Sequence, residues 1–300
     1  MKKVILFLFI CCCAFQMKGQ TLPVLLTPSD AASAGIAETS LAADSYAFAI
    51  DVNPSSVMFS QKKMSAAFTY GKWAPAATNG NLLSAGGWFN GGHWSVGLGF
   101  KNLKMDGYEV TSNNGVISQI EDTFYPSDML LSLGGAFKIT QAFSMGATVR
   151  MVSSSLAKDA KYTGFNADLA ATFSNNKLQA GVKLANLGPK VSYGEESSYP
   201  QPMLLSAGIS YTIIKGFNAN AQADFLFSGA FAAGIGAEYG WKDMLFVRAG
   251  YHLGTGKKGI GSYGSLGLGF HIVGISIDAA YIAFSETLRN TLMFTLSYSL

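Results

Sequence analysis

Residues 217–227, FNANAQADFLF, decide the fold. Aromatic and small apolar side chains at the odd positions alternate with polar side chains at Asn218, Asn220, Gln222 and Asp224. Successive side chains of a β-strand point to opposite faces, so the stretch predicts a strand with one apolar and one polar face. Such a strand suits a membrane barrel, whose outer face meets lipid and whose inner face meets polar groups. A soluble β-sandwich shows the same period, so the choice depends on the rest of the chain.

The same period recurs along the chain and predicts about fourteen strands. After residue 20 no run of eighteen apolar residues occurs, although 49% of the chain is hydrophobic, which excludes membrane-spanning helices. We expect the strands at residues 64–73, 82–90, 93–102, 127–138, 143–153, 164–174, 178–186, 203–213, 217–227, 232–241, 244–253, 265–272, 275–283 and 291–300. An even number of strands returns the chain to the side of the membrane where it began.

The lengths of the connections strengthen the membrane interpretation. Short turns alternate along the chain with longer loops, notably residues 103–126, 154–163, 187–202 and 254–264. Outer-membrane barrels have short periplasmic turns and longer external loops. The sequence therefore predicts an all-β fold: a transmembrane antiparallel β-barrel over residues 61–300, with a soluble β-sandwich or clam-like barrel as the alternative. Closure of the barrel would also remove the unpaired edges of so long a sheet.

Residues 1–20 are expected to be a cleaved secretory signal peptide, because Lys2 and Lys3 precede an apolar run from Val4 to Phe15. An uncleaved anchor is the alternative. Cleavage would remove all three cysteines and would leave 18 basic against 18 acidic residues. A neutral chain lacks the basic surface of a nucleic-acid-binding protein, so no nucleic-acid partner is expected. The predicted location is the bacterial outer membrane, with its lipid as the surroundings.

Residues 21–60 do not alternate and are richer in Ala, Ser and Asp than the rest of the chain. We expect this segment to pack inside or beneath the barrel as a plug or hatch. Its sequence AASAGIA at residues 31–37, followed by Asp44 and by Asn53-Pro54-Ser55, resembles the amino-terminal pattern of fatty-acid-transporter-like barrels and their PorV/PorQ relatives. Two further stretches resemble the PorV/PorQ branch: GFNADL at 164–169 with ANLG at 185–188, and YPQP at 199–202 leading into LSAGISY.

The resemblance covers the chain after the signal peptide and implies fourteen strands. It also implies an accessory component of protein export or surface attachment, of the type IX secretion kind, whose external loops bind exported proteins or a secretion channel. The alternative that it implies is an outer-membrane transporter for long-chain fatty acids or other hydrophobic small molecules, in which an Ala- and Gly-rich wall permits close approach or a kink. Gly35, Asn53 and Pro54 are then candidates for gating, although Asn and Pro also favour an ordinary turn.

The alternation places a set of charged side chains on the inner face: Arg150, Asp168, Lys183, Asp224, Glu238, Arg248, His252 and Asp278. Arg150 and Asp168 would lie opposite each other across a regular hairpin centred near residue 159, and Arg248 would lie near Glu238 across the turn at 242. These residues form either structural ion pairs, which interior charges need, or a polar path with ligand contacts.

No residue pattern indicates an enzyme. His93, His252 and His271 lack the spacing of metal ligands, and no serine lies in a nucleophile motif. We therefore expect no catalytic residue, no metal and no cofactor.

Overall fold

The computed structural model describes residues 22–43, 47–113, 118–194, 198–255 and 260–300. The expected signal peptide at 1–20 and Asp44 of the amino-terminal motif lie outside these described residues. Among the described residues, no helix is long and apolar enough to cross a membrane.

Fourteen antiparallel strands close into a barrel, which confirms the predicted fold class and strand number. Closure comes from the first and last wall strands, where Ser65 pairs with Ser299 and Lys72 with Leu292. The wall strands are β1 Met64–Trp73, β2 Gly80–Asn90, β3 Trp94–Lys104, β6 Ser127–Lys138, β7 Phe143–Ser155, β8 Lys161–Asn175, β9 Leu178–Leu187, β12 Leu204–Ile214, β13 Phe217–Leu226, β14 Phe231–Trp241, β15 Leu245–Thr255, β16 Gly261–Ile272, β17 Ile275–Ala283 and β18 Thr291–Ser299.

The connections distinguish two ends of the barrel, named here the turn end and the loop end. Every connection at the turn end is short, as at Lys242 and Asp243, which both adopt positive φ. Such barrels place short turns in the periplasm, so the loop end is the external one. Two of the predicted loops contain strands of their own: the hairpin β4 Tyr108–Asn113 and β5 Ser118–Phe124, and the two-residue pair β10 Val191–Ser192 and β11 Ser198–Tyr199.

The two faces of the wall differ as the alternation predicts. Outward side chains are apolar and exposed, such as Leu98 at 64% and Ile235 at 65%. Inward positions carry buried hydroxyls, such as Thr69 and Thr148. A wall that is apolar outside and polar inside matches a lipid exterior and a hydrogen-bonded interior.

The amino-terminal segment, residues 22–60, lies in the lumen and is built from four short helices. These are a 3-10 helix Pro23–Leu26, α1 Ala31–Gly35, α2 Ala49–Val52 and a second 3-10 helix Pro54–Phe59. Leu22 and Val24 pack among wall residues near the loop end, including Leu103 and Met293. At the turn end, Asn90 Nδ2 donates to Val57 O at 2.9 Å. The segment therefore runs through the lumen from the loop end to the turn end.

Candidate functional site: the filled lumen

Glycines on the inner face form the seat of the amino-terminal segment. A Cβ at Gly267 would lie 3.0 Å from Gly35 Cα, and a Cβ at Gly250 would overlap the carbonyl carbon of Ile36. A Cβ at Gly146 would lie 2.9 Å from Ser55 N. Part of the glycine content of the wall is thus explained by close approach to the segment, because only glycine leaves room for backbone at these positions.

Hydroxyl groups on the wall complete the hydrogen bonds of the segment's backbone. The N–H of Ala31 donates to Thr295 Oγ1 at 2.8 Å, and the N–H of Ala37 donates to Ser265 Oγ at 2.9 Å. Thr148 Oγ1 donates to Ile50 O at 2.8 Å. A segment with so little helix leaves many buried backbone groups to be paired, and the inner face supplies the partners.

The three motif residues of the segment have structural contacts. Asn53 Nδ2 donates to Leu41 O at 2.7 Å and to Thr172 Oγ1 at 2.9 Å, while its Oδ1 accepts the N–H of Ser55 at 3.1 Å. Pro54 begins the second 3-10 helix, where its missing N–H costs nothing. Gly35 ends α1 against Gly267. Gating by Gly35, Asn53 and Pro54 remains a prediction, and these contacts accord with the turn that Asn and Pro favour.

The Arg150 cluster joins the wall to the segment. Arg150 Nη1 lies 2.7 Å from Asp168 Oδ1, and Arg150 Nη2 donates to Asp51 O at 3.1 Å. Lys183 Nζ lies 3.8 Å from Asp168 Oδ2. The expected Arg150–Asp168 pair is present, but its expected geometry is wrong: Arg150 pairs in register with Asn166, and Asp168 is reached diagonally.

The Arg248 cluster lies nearer the turn end and joins three wall strands. Arg248 Nε lies 2.5 Å from Glu238 Oε2, and its Nη1 lies 2.6 Å from Asp278 Oδ1. Glu238 and Arg248 are direct register partners across the short turn, as the sequence predicts. His271 Nε2 lies 3.3 Å from the same oxygen of Asp278. Six of the eight charged residues predicted on the inner face therefore lie in two clusters.

Asp224 belongs to neither cluster and accepts hydrogen bonds from Gln222 Nε2 at 3.1 Å. It lines a cavity of about 150 Å³ near the Arg150 cluster, together with His252 and three residues that sequence reasoning missed: Glu38, Asp51 and Lys101. The alternation of β3 places Lys101 inward, so it could have been found. Asp51 and Glu38 lie in a segment without a period and gave no signal.

Lys101 and Glu38 are both held by specific contacts. Lys101 Nζ donates to Thr27 O at 2.7 Å. Glu38 Oε1 accepts from the Tyr263 hydroxyl at 2.9 Å. Burial raises the pKa of Glu38 from 4.5 to about 7, although the Tyr263 hydrogen bond opposes the rise. The cavity is thus lined by groups of both signs.

A second cavity of about 550 Å³ lies at the turn end, beside the Arg248 cluster. Its lining includes Lys62 and Asp243 with residues of that cluster. Within the described part of the chain, no group of three or more His, Cys, Asp and Glu side chains could hold a metal ion.

The external hairpin β4–β5 is fixed to its neighbouring loop. The Tyr108 hydroxyl donates to Leu156 O at 2.8 Å, and the Tyr108 and Phe124 rings lie 5.7 Å apart. Asp122 Oδ2 lies 2.9 Å from Lys158 Nζ, and hydrogen bonding to that lysine lowers the pKa of Asp122. These contacts hold the hairpin in a defined position at the loop end.

Comparison with known proteins gives a family and a fold. The sequence model of the family described as "Type IX secretion system protein PorV" matches residues 16–225. No curated protein matches the sequence.

Among solved structures, the Ralstonia pickettii toluene transporter TbuX is similar with a TM-score of 0.65 and 14% identity, covering 90% of this chain and 97% of that one. The CymD monoaromatic hydrocarbon channel has a TM-score of 0.66 and 13% identity over 95% of this chain and 98% of its own. The P. putida toluene transporter TodX has a TM-score of 0.65 and 12% identity over 95% and 99%. At sequence identities of 12–14%, these similarities show a shared fold.

Proposed function

The chain belongs to the family of the type IX secretion system protein PorV, and from that membership we propose that it is an accessory barrel of protein export. In this role it binds a secretion component or an exported protein through its loop end. The wall and its filled lumen then serve as a rigid support in the outer membrane, and no catalytic step is assigned to it.

The filled lumen is the observation that carries this proposal. The segment is seated against wall glycines by its backbone and is tied to the wall by Arg150. One cavity beside it measures about 150 Å³ and has charged groups of both signs in its lining, including Asp51, Lys101 and Lys183. Apolar cargo in this cavity would lie against charged groups without satisfying them, which is unfavourable. A barrel that only supports a partner needs no path for cargo through its lumen.

The external hairpin supplies a surface for a partner. Tyr108 and Tyr125 are exposed at 42% and 51%, and among the described residues the two hairpin strands pair with each other and with no further strand. Exposed aromatic side chains are enriched where proteins bind one another, and unpaired strand edges can accept a further strand. The contacts of Tyr108 with Leu156 and of Asp122 with Lys158 hold this surface in place before binding.

The test is co-purification at native expression levels, with the surface proteome as a second readout. The full chain is compared with a variant in which residues 106–125 are replaced by a short Gly-Ser turn between β3 and β6. We expect the intact barrel to recover a secretion component or an exported client, and the variant to lose it while still folding. The matched control replaces residues 284–287 at the same end and keeps Leu288, which is buried with Leu22 and Val24. Recovery of no partner, with an unchanged surface proteome on deletion of the protein, would contradict the proposal.

Transport of hydrophobic small molecules is the second candidate, and the fold favours it. The similar structures include channels and transporters whose titles name toluene and monoaromatic hydrocarbons. Uptake of a radiolabelled long-chain fatty acid and of toluene should then fall in a deletion strain and return with the intact chain. Unchanged uptake in that strain, together with a lost surface protein, would decide for export.

A further inference from the structure

The outer face of β1, β2 and β3 carries a row of polar side chains at the loop end. Lys72 pairs in register with Asn81, and Asn81 pairs with Lys104. All three side chains point outward from the barrel wall. Tyr70 and Phe68, which lie on the same outward face of β1, are 47% and 48% exposed. Adjacent strands are about 4.8 Å apart, which places the two lysine backbones roughly 10 Å apart with Asn81 between them.

Both lysines are oriented by neighbouring groups, and neither forms an ion pair with a described residue. Lys72 Nζ donates to Asn79 O at 3.0 Å and lies 3.4 Å from Asn81 Oδ1. Lys104 Nζ lies over the Tyr125 ring, 4.6 Å from its centroid. No carboxylate of a described residue lies within 4 Å of either lysine nitrogen. The nearby acid Asp106 accepts from Asn79 Nδ2 at 2.5 Å.

Leu83 follows Asn81 on the outward face of β2, and beyond it the small residues Ala85 and Gly87 form a shallow groove. Ala85 lies in register between Phe68 and Phe100, and Gly87 lies in register between Ala66 and Leu98. No larger side chain fits at Gly87 without a shift of the backbone, because a Cβ there would lie 2.8 Å from Ala66 Cα. The groove points from the bilayer interior toward the row of lysines.

We propose that this face binds an outer-leaflet lipid with a phosphate-bearing headgroup. The headgroup phosphate lies over Asn81 between Lys72 and Lys104, and one acyl chain lies in the groove over Ala85 and Gly87. Charge complementarity selects this occupant, because two cations that form no ion pair with a described residue lie at the level where the apolar wall ends. Lysine side chains beside a lipid surface are attracted by anionic headgroups, and their stems lie along apolar surface.

The opposite rim of the same barrel offers a matched comparison. Lys177 and Lys215 lie exposed on adjacent turns at the turn end, where Thr212 N donates to Lys177 O at 2.8 Å. They have the same charge, and they lie at the other membrane surface. A general attraction of lysine for anionic lipid would make the two pairs equivalent.

The experiment measures lipid retained by the full chain in nanodiscs of phosphatidylcholine containing purified lipopolysaccharide, by extraction and mass spectrometry. Lys72→Gln with Lys104→Gln should weaken lipopolysaccharide binding about 10- to 30-fold, since each lysine near an anionic surface contributes on the order of a fivefold change. Lys177→Gln with Lys215→Gln should leave binding within about twofold. Ala85→Leu, which fills the groove without changing charge, should lower retention of the same lipid.

The unfolding temperature gives a second readout on the same samples. Lipopolysaccharide should raise it for the native chain and for the turn-end variant, but not for Lys72→Gln with Lys104→Gln. Equal retention by both lysine variants would overturn the proposal, and so would a thermal shift that survives removal of Lys72 and Lys104. Unchanged retention in Ala85→Leu would overturn the groove as the site of the acyl chain.

Discussion

The two arginine clusters of the lumen have the same chemistry but join different parts of the molecule. The ion pairs of Arg248 join it to Glu238 and Asp278, which are both wall residues. Those of Arg150 join it to Asp168 of the wall and to Asp51 of the amino-terminal segment. The first cluster therefore joins strands β14, β15 and β17 of the wall, whereas the second attaches the segment to the wall.

The clusters also differ in what would remain after loss of the arginine. Without Arg150, Asp168 keeps Lys183 at 3.8 Å and the N–H of Asn186 at 2.9 Å. Without Arg248, Asp278 keeps a contact with His271 at 3.3 Å. A buried carboxylate that loses its cation is strongly destabilising, and one that keeps other donors is less so. The comparison predicts unequal costs for two substitutions that look alike.

Replacing Arg248 should have the largest effect. Arg248→Met leaves Glu238 and Asp278 buried without their guanidinium, so we expect a loss of about 3–5 kcal/mol in the free energy of unfolding. Urea titration in detergent micelles, followed by tryptophan fluorescence, measures it. The triple variant with Glu238→Gln and Asp278→Asn should recover most of the loss, because the two carboxylates that lost the guanidinium are then uncharged. If the single and triple variants were equally unstable, the loss would come from packing and not from charge.

Replacing Arg150 should cost less and act on the segment. Arg150→Met should lower the free energy of unfolding by about 1–2 kcal/mol, because Asp168 keeps two donors. The clearer readout is hydrogen exchange at α2, where Asp51 N–H donates to Phe48 O. Exchange there should become about tenfold faster in Arg150→Met and change little in Arg248→Met, which serves as the control. Equal acceleration in both variants would remove the distinction between the two clusters.

The wall could be predicted from sequence because its period has a direct physical cause. One face meets lipid and the other meets the lumen, so every strand repeats the same alternation, and short turns fix the register. The Glu238–Arg248 pair follows from this directly. At the longer connection between β7 and β8 the register is set by the loop, so the predicted opposition of Arg150 and Asp168 is wrong by two residues even though the pair exists.

The amino-terminal segment could be recognised only by the absence of that period. Its position depends on contacts with residues far away in sequence, such as Ala31 with Thr295 and Ala37 with Ser265. Neither a propensity nor a spacing encodes such pairings. For the same reason Asp51 and Glu38 were missed, whereas Lys101 lay within a predicted strand and could have been assigned to the inner face.

The smallest expected effect concerns Glu38, which belongs to the segment and lines the cavity beside the Arg150 cluster. Its folded pKa of about 7 exceeds the ordinary 4.5, so the folded state binds the proton more tightly. The resulting stabilisation is present below about pH 4.5 and is lost as the pH rises through about 7. Because the Glu38 side chain is only partly buried, solvent lowers the cost of its charge, and we expect a loss of under about 1 kcal/mol. Glu38→Gln keeps an acceptor for the Tyr263 hydroxyl but removes the titration, so its unfolding temperature should fall less than that of the native chain between pH 5 and 8. If the unfolding temperatures of the two proteins changed in parallel with pH, the titrating group would lie elsewhere. The amino-terminal segment would then differ from the wall in how it is attached, but not in its response to pH.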